Sequence, residues 1–500
     1  MDRYGGLLML FAGALAVTSF APFGYYPVVI GSLLLLFNQW TRDPPGQSFR
    51  RGFLFGLGFF GAGISWVFNS IHVFGHVPVI GALGVTLGLV ITLSLYPAVL
   101  GYGLGRVYRT PSWPVLVIAF PAGWVFSEWL RSWLFTGFPW LNIANSQIDS
   151  PLAGFIPVLG VYGTGWLLAL LPALLLAVLK NQQRLVSLAL LVTVPLAGAL
   201  LDRVQWSTPR GEAIQVSLVQ GNISQEDKWA PENLMSTFSR YTDLTFGSQV
   251  SDLTIWPETA IPAFHDQVNE GFIAYLETQL QKSGASLLTG IPVLDKQHWE
   301  YYNAVIALGG EQAFYYKQHL VPYGEYLPLR WLIGDALDAL AVPNADFSSG
   351  TDSQPLLLAA GYPVATSICY EVVFGEQIIK ALPEAAMLVN VSNDAWFGDS
   401  LAPHQHLEMA RMRAKESGRP MLRATNTGIS AIIDHRGRIT QQSPQFEIAV
   451  VSGAVTPMQG ATPYVHMGNV PIVILSVACL LLCWLRCRQQ SRSGERGEDA

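Results

Sequence analysis

The stretch VATSICYEVVFG, residues 364–375, holds the single cysteine found before residue 479, because Cys479, Cys483 and Cys487 all lie in one apolar run near the C-terminus. Cys369 closes a β-like run and is followed directly by Tyr370 and Glu371. Two other segments present ionisable side chains in the same kind of place. In DLTIWPETAIP (252–262) a β-rich run gives way at Glu258, and AFYYKQHLVPYGEYLP (313–328) presents Lys317 and then Glu325. The three types complement one another. A thiolate is a strong nucleophile once a base or cation has generated it. A carboxylate such as Glu258 takes a proton and later returns it to a leaving group. An ammonium such as Lys317 stabilises the oxyanion of a tetrahedral intermediate. Brought together, they would form an acyl-transfer site. The competing reading of Cys369 is a buried, inert thiol, since free cysteine is among the most buried residue types.

Convergence depends on the elements that carry these residues. Strand-like apolar runs occur at 214–219, 253–256, 286–293, 303–308, 356–369, 386–391, 421–433 and 447–451. Amphipathic stretches alternate with them. In 269–283, Phe272, Leu276 and Leu280 share one helical face and Gly284 is placed to end the helix. In 404–417, Leu407, Ala410, Arg411 and Ala414 do the same, with Gly418-Arg419-Pro420 as the stop. The pattern predicts an α/β domain, a sheet-rich core flanked by helices. In such folds ligand sites assemble at strand ends.

The rest of the chain is of another kind. Half of its 500 residues are apolar (51%) and only 13% are charged, against roughly a quarter in soluble domains. The deficit lies mainly before residue 204. Spans of about 20 apolar residues are expected near 5–21, 25–39, 52–70, 77–101, 113–131, 154–179, 185–201 and 468–486. The opening run also has the look of a signal peptide, but further apolar segments follow at once, which favours a retained anchor. This predicts a membrane domain of seven spans over 1–203, a catalytic domain over 204–465, an eighth span over 466–487 and a polar tail over 488–500. Arg42, Arg50, Arg51, Arg106, Arg109, Lys180, Arg184, Arg486, Arg488, Arg492 and Arg496 all fall on one side of that arrangement, with Arg131 the exception. The excess of basic residues marks the cytoplasmic side, so both termini are expected inside and the 204–465 domain outside. In a bacterial envelope the outside is oxidising, and structural cysteines there come in pairs; Cys369 has no partner in its domain. The net charge of −6 says little about partners, and with no basic stripe suited to nucleic acid none is expected as a partner.

Other residues carry less. His404 and His406, at i and i+2, do not share a helical face, and no cluster completes a metal shell; they read as residues at the start of a helix. No metal and no cofactor is expected. Cys479, Cys483 and Cys487 read as packing residues on one helical face. Glu128 and Arg131 should face protein or water, either paired or at the mouth of a lipid path. Asn390, Asn393 and Asp394 in NVSNDAWFGDS read as turn chemistry.

WPETA, YYKQHLVPYGEYLP, CYE and NVSNDAWFG, in this order and spacing, resemble the nitrilase (carbon–nitrogen hydrolase) superfamily, whose site is a Glu–Lys–Cys triad. With eight spans, EWLRSWLFTGFPW at 128–140, LVQGN at 218–222 and RATNTGIS at 423–430, the whole chain resembles the bacterial apolipoprotein N-acyltransferases. The resemblance implies an αββα sandwich and a ping-pong transfer. An acyl chain from a phospholipid, typically phosphatidylethanolamine, would pass through a Cys369 thioester to the α-amino group of an S-diacylglyceryl cysteine at a lipoprotein N-terminus. It implies Glu258 as general base, Lys317 as oxyanion stabiliser and Cys369 as nucleophile. Glu325, Tyr370 and Glu371 match supporting positions, Trp229 an aromatic near substrate, and the 390–397 loop a place close to the site. The loops around Trp229 and 334–350 would have to admit two bulky substrates in turn. Two alternatives stand beside it: a membrane-tethered amidase or nitrilase, and a transporter or receptor with an inactive outer domain. Against the latter, the spans hold few ionisable residues.

Overall fold

A computed structural model describes residues 3–108, 112–247, 250–322, 324–326 and 346–498, with side chains for residues 4–489 of that set. Arg109, the side chains of Arg492 and Arg496, and most of the 334–350 stretch lie outside the described residues. The chain forms two compact units, one of Met1–Val67, Leu83–Val204 and His466–Ala500, the other of Phe68–Ala82 and Gln205–Val465.

The first unit is helical. Among the described residues, four helices are long and apolar enough to cross a membrane: Val79–Val107, Pro151–Leu179, Arg184–Leu201 and Val470–Gln489. A fifth passes only if Pro45–Gly63 is taken together with the bent Val67–Phe74 segment. The eight expected spans are therefore not all present as full-length helices. The second, Val28–Trp40, has 13 residues, about 20 Å at 1.5 Å per residue, short of a hydrocarbon core of roughly 30 Å. The segment expected at 113–131 is a π-helical turn, Val115–Ala119, running into a 12-residue helix, Phe120–Arg131. Apolar composition persists through these stretches, but Pro22 and Gly24 after the first helix, and Trp113-Pro114 before the last, limit the helical lengths.

Glu128 and Arg131 are buried at the end of that helix. Glu128 Oε1 accepts from the indole of Trp124 (3.1 Å) and the N–H of Ile143 (2.9 Å). Arg131 donates to the carbonyls of Phe138 (3.0 Å) and Trp140, and to Asn142 Oδ1 (2.7 Å). Together they hold the segment from Phe138 to Ile143 in place.

The second unit contains two six-stranded sheets built to one plan. The first runs over β1 (Ile214–Gln220), β2 (Leu253–Ile255), β3 (Ser286–Asp295), β4 (Glu300–Leu308) and β5 (Ala313–Tyr316). The second is made of β6 (Leu357–Ala359), β7 (Tyr362–Ile368), β8 (Met387–Ser392), β9 (Met421–Thr425), β10 (Ala431–Ile433) and β11 (Ile439–Gln442), and β12 (Ala449–Val455) returns to the first. The orders are β12-β1-β2-β3-β4-β5 and β11-β10-β9-β8-β7-β6. In each, three parallel strands (β1-β2-β3 and β7-β8-β9) are flanked by antiparallel ones. Val216, Leu218, Leu288 and Val305 of the first sheet meet Val364, Ile368, Val389 and Leu422 of the second in one buried core. The alternate residues Val219, Leu287 and Ile306 face Phe238, Tyr241, Leu276 and Leu280 of helices 234–246 and 274–283. On the second sheet, helix Ala402–Ser417 packs against β9 and β10. The result is an αββα sandwich.

Two predicted strands are each divided. The run 356–369 folds back at Ala360-Gly361 into β6 and β7, and 421–433 breaks at 426–430 into β9 and β10. In the first, a turn lies inside a stretch of apolar and small residues; in the second, the break falls at Asn426-Thr427-Gly428. The helix expected at 269–283 forms over Ala274–Ser283 after a π-helical turn, and Gly284 ends it at φ 67°.

Candidate active site

The candidate residues stand where the central parallel strands end. Glu258 follows β2 by three residues, and Cys369 is the first residue after β7. Lys317 extends the edge strand β5, its N–H donating 2.8 Å to the carbonyl of Asn303 on β4. Cys369 is buried and adopts φ 52°. For a residue with a Cβ this left-handed conformation costs about 1–2 kcal/mol and persists only where the surroundings impose it.

Glu258, Lys317 and Glu325 form one ionic group. Lys317 Nζ donates to Glu325 Oε1 at 2.7 Å and lies 3.6 Å from Glu258 Oε1. Asn303 Nδ2 reaches both carboxylates, at 2.8 Å to Glu258 and 3.3 Å to Glu325. The other oxygen of Glu258 accepts from the N–H of Asn393 (2.9 Å), and that of Glu325 from the N–H of Val321 (2.8 Å). Burial works against the Lys317 ammonium, but the charges of Glu325, Glu258 and Cys369 outweigh it and hold its pKa above the ordinary lysine range. Burial and the Glu258 carboxylate push the Cys369 thiol up to about 12, against an opposing pull from Lys317. Thiol, carboxylate and ammonium thus act on one another in a single buried pocket of charge.

Glu371 is fully buried. One of its oxygens accepts from the N–H groups of Gln318 (2.7 Å) and His319 (3.0 Å) and from Gln377 (2.9 Å). The other accepts from the N–H of Ile368 (2.7 Å) and the hydroxyl of Tyr315 (3.0 Å). Burial leaves this carboxyl above its usual pKa. Tyr370 turns its ring edge onto Phe374, with centroids 5.2 Å apart, and packs near His319. Trp229 is half exposed and caps the short helix Gln225–Lys228.

Several participants were not singled out by sequence reasoning. Asn303 links two carboxylates; an amide between Tyr302 and Ala304 in an otherwise apolar run was its only signal. Lys228 is buried beside Trp229, with Nζ 3.1 Å from the carbonyl of Glu258, and burial pushes it down to about 8. Asn393 joins Glu258 through its backbone rather than making a simple turn. His406 is not merely a residue at the start of a helix. It is fully buried, with Nε2 3.2 Å from the carbonyl of Cys369 and Nδ1 3.2 Å from Asp394. Periodicity within its helix gave no sign of this, since the partners come from the turns after β7 and β8 and from β9.

Comparison with known proteins accounts for the whole chain. Residues 12–174 match the family described as "Apolipoprotein N-acyltransferase N-terminal domain", and 215–464 match "Carbon-nitrogen hydrolase". A Methylococcus capsulatus protein named apolipoprotein N-acyltransferase is 48% identical over 99% of this chain and 98% of its own. The proteins of that name from Nitrosomonas europaea and Pseudomonas syringae pv. tomato are 45% and 40% identical, each over 96% of this chain, covering 97% and 95% of their own. The sandwich thus has the nitrilase-type carbon–nitrogen hydrolase fold, and the receptor and tethered-amidase readings give way. A helical membrane region joined to a carbon–nitrogen hydrolase domain, matched along its full length at up to 48% identity, places this chain in the apolipoprotein N-acyltransferase family.

Proposed function

We propose that Cys369 is the acyl-carrying nucleophile of this acyltransferase, Glu258 its general base and Lys317 its oxyanion stabiliser. The observation that carries this reading is a Lys317–Glu258 pair, 3.6 Å apart and buried, that acts electrostatically on a buried Cys369 at the end of β7. A thiol held up to about 12 is protonated at rest. Glu258 therefore takes its proton as sulfur attacks the ester carbonyl of a phospholipid. Lys317, fixed as an ammonium by Glu325, faces the oxyanion that forms. The carbon–oxygen bond breaks, Glu258 returns the proton to the departing lysophospholipid, and a thioester remains. The α-amino group of a diacylated lipoprotein then attacks the thioester. Its proton passes to Glu258, the carbon–sulfur bond breaks, and the thiol is restored.

Glu371 and Tyr370 support the turn that carries Cys369, and Trp229 offers an exposed aromatic to an acyl chain. We further propose phosphatidylethanolamine as donor, an inner-membrane location with both termini cytoplasmic and the sandwich periplasmic, and the eight-pass arrangement with its shorter segments completing the bundle. Both substrates are lipid-anchored, which is why the domain is tied to a membrane region.

Intact mass of the purified protein after exposure to phosphatidylethanolamine, without acceptor and beside Cys369→Ala, tests this. An acyl-sized increase that the control lacks, and that a diacylated lipopeptide discharges, is the expected result. Phospholipid left untouched by the wild-type protein would overturn it.

A further inference from the structure

Beneath Cys369 lies a second buried cluster with no part in the steps above. Asp394, His406 and Arg423 are all at most 1% exposed. Arg423 donates 2.8 Å to Asp394 Oδ2 and also bonds Asn390 Oδ1. Asp394 Oδ1 accepts from Ser392 (2.7 Å) and lies 3.2 Å from His406 Nδ1, which is 2.9 Å from Arg423. Burial opposes the Asp394 carboxylate, but Arg423 and His406 outweigh that and hold its pKa well below the ordinary range. Two groups leave this cluster toward the carbonyl of Cys369: His406 Nε2 at 3.2 Å and Asn390 Nδ2 at 3.3 Å.

A carbonyl only accepts, so Nε2 of His406 carries a proton and donates it to the carbonyl of Cys369. Nδ1 lies between Asp394 (3.2 Å) and Arg423 (2.9 Å), which fix the plane of the ring. Burial and the Arg423 charge lower the pKa of the ring, while Asp394 acts in the opposite direction. His406 thus clamps the carbonyl from a ring held on its far side.

We infer that His406 is a positioning residue for the nucleophile, holding the Cys369 carbonyl so that the strained turn keeps its left-handed form. At φ 52° the residue is in a region that relaxes unless restrained. Release of the carbonyl would let the turn rotate and carry the thiol away from Glu258 and Lys317. This inference rests on Cys369 being the nucleophile.

The test uses the full-length enzyme and three matched proteins: wild type, His406→Gln and His406→Asn. Both variants are uncharged amides, but the side chain of Gln is long enough to present an N–H to the carbonyl and that of Asn is one methylene shorter. The readouts are the rate of acyl-adduct formation from phosphatidylethanolamine by intact mass, kcat and KM for the lipopeptide, and thermal unfolding. The expected result is a loss of about 10²-fold in adduct rate and kcat for His406→Asn, recovery to within about tenfold of wild type for His406→Gln, and KM little changed in both. Equal rates in the two variants, or losses that merely follow their melting temperatures, would overturn the inference. Absence of an adduct in the wild type would instead remove the thioester reading on which it rests.

Discussion

The carboxylate of Glu371 lies 2.7 Å from the backbone N–H of Gln318, the residue next to Lys317, while its other oxygen takes the N–H of Ile368, the residue before Cys369. One side chain therefore ties the strand extension carrying the ammonium to the turn carrying the thiol. Neither of these segments is adjacent in sequence, and they come from different sheets of the sandwich. Glu371 sets their separation.

Glu371→Gln keeps the shape but turns one acceptor oxygen into a donor. Whichever way the amide is oriented, an N–H then faces N–H groups. The expected cost is about 1–3 kcal/mol of stability. Misplacement of thiol against ammonium is expected to slow acyl-adduct formation about 10²-fold. Thermal unfolding and a mass time course check the two effects separately, and an unimpaired adduct rate would show that the tie is not needed.

Glu258→Gln and Glu325→Gln should fail for different reasons. The first removes the proton acceptor, so acylation is expected to fall by about 10²–10⁴-fold, and it turns an amide N–H onto the Asn303 or Asn393 donor at a cost of about 1–3 kcal/mol. The second takes away the closer partner of a buried ammonium, 2.7 Å away against 3.6 Å for Glu258. Breaking such a pair costs about 3–5 kcal/mol, and Lys317 is then drawn onto Glu258. Glu325→Gln should therefore lose more melting temperature than Glu258→Gln, and equal melting temperatures for the two variants would contradict this account.

The thiol carries a pH signature. With the folded value up to about 12, Cys369 is protonated at neutral pH. Its labelling by iodoacetamide should climb roughly tenfold per pH unit across the neutral and alkaline range, where an unperturbed thiol would level off above about 8.5. The linkage has the same sign. A folded value above the unfolded one contributes stability that is fully present below about pH 8.5 and is lost as pH rises toward the folded value. A labelling rate that is flat from pH 6 to 9 would mean a preformed thiolate.

Gly290 on β3 backs directly onto the general-base candidate. A Cβ there would sit 2.7 Å from the Cα of Glu258 and collide with the N–H of Thr259. Gly290→Ala is expected to destabilise the protein by about 1–3 kcal/mol and to depress acyl transfer beyond what unfolding explains, because Glu258 itself is displaced. Transfer activity normalised to folded protein measures this, and a normal ratio would show that the loop absorbs the methyl group elsewhere.

The candidate chemistry and the contrast between an apolar and a globular part of the chain were legible in the sequence. Cys369, Glu258, Lys317 and Glu325 announce themselves because each stands where an apolar β-like run meets polar residues, and that contrast is local. The membrane region is legible for the same reason: apolar runs need no partner to be recognised. Helix length was not legible there, since proline and glycine positions and local π-turns limit Val28–Trp40 and Phe120–Arg131 in ways composition does not register. The folding back of 356–369 and 421–433 was likewise hidden, because small residues serve both strand and turn. Only the tertiary structure decided what Asn303, His406, Asp394 and Arg423 do. Each contributes one polar side chain from a different part of the fold, and apart from the Ser392–Asp394 contact the partners lie from 12 to 45 residues away along the chain. Buried polar groups require partners, but which partners they find depends on strand order and register, and those arise from packing two sheets face to face.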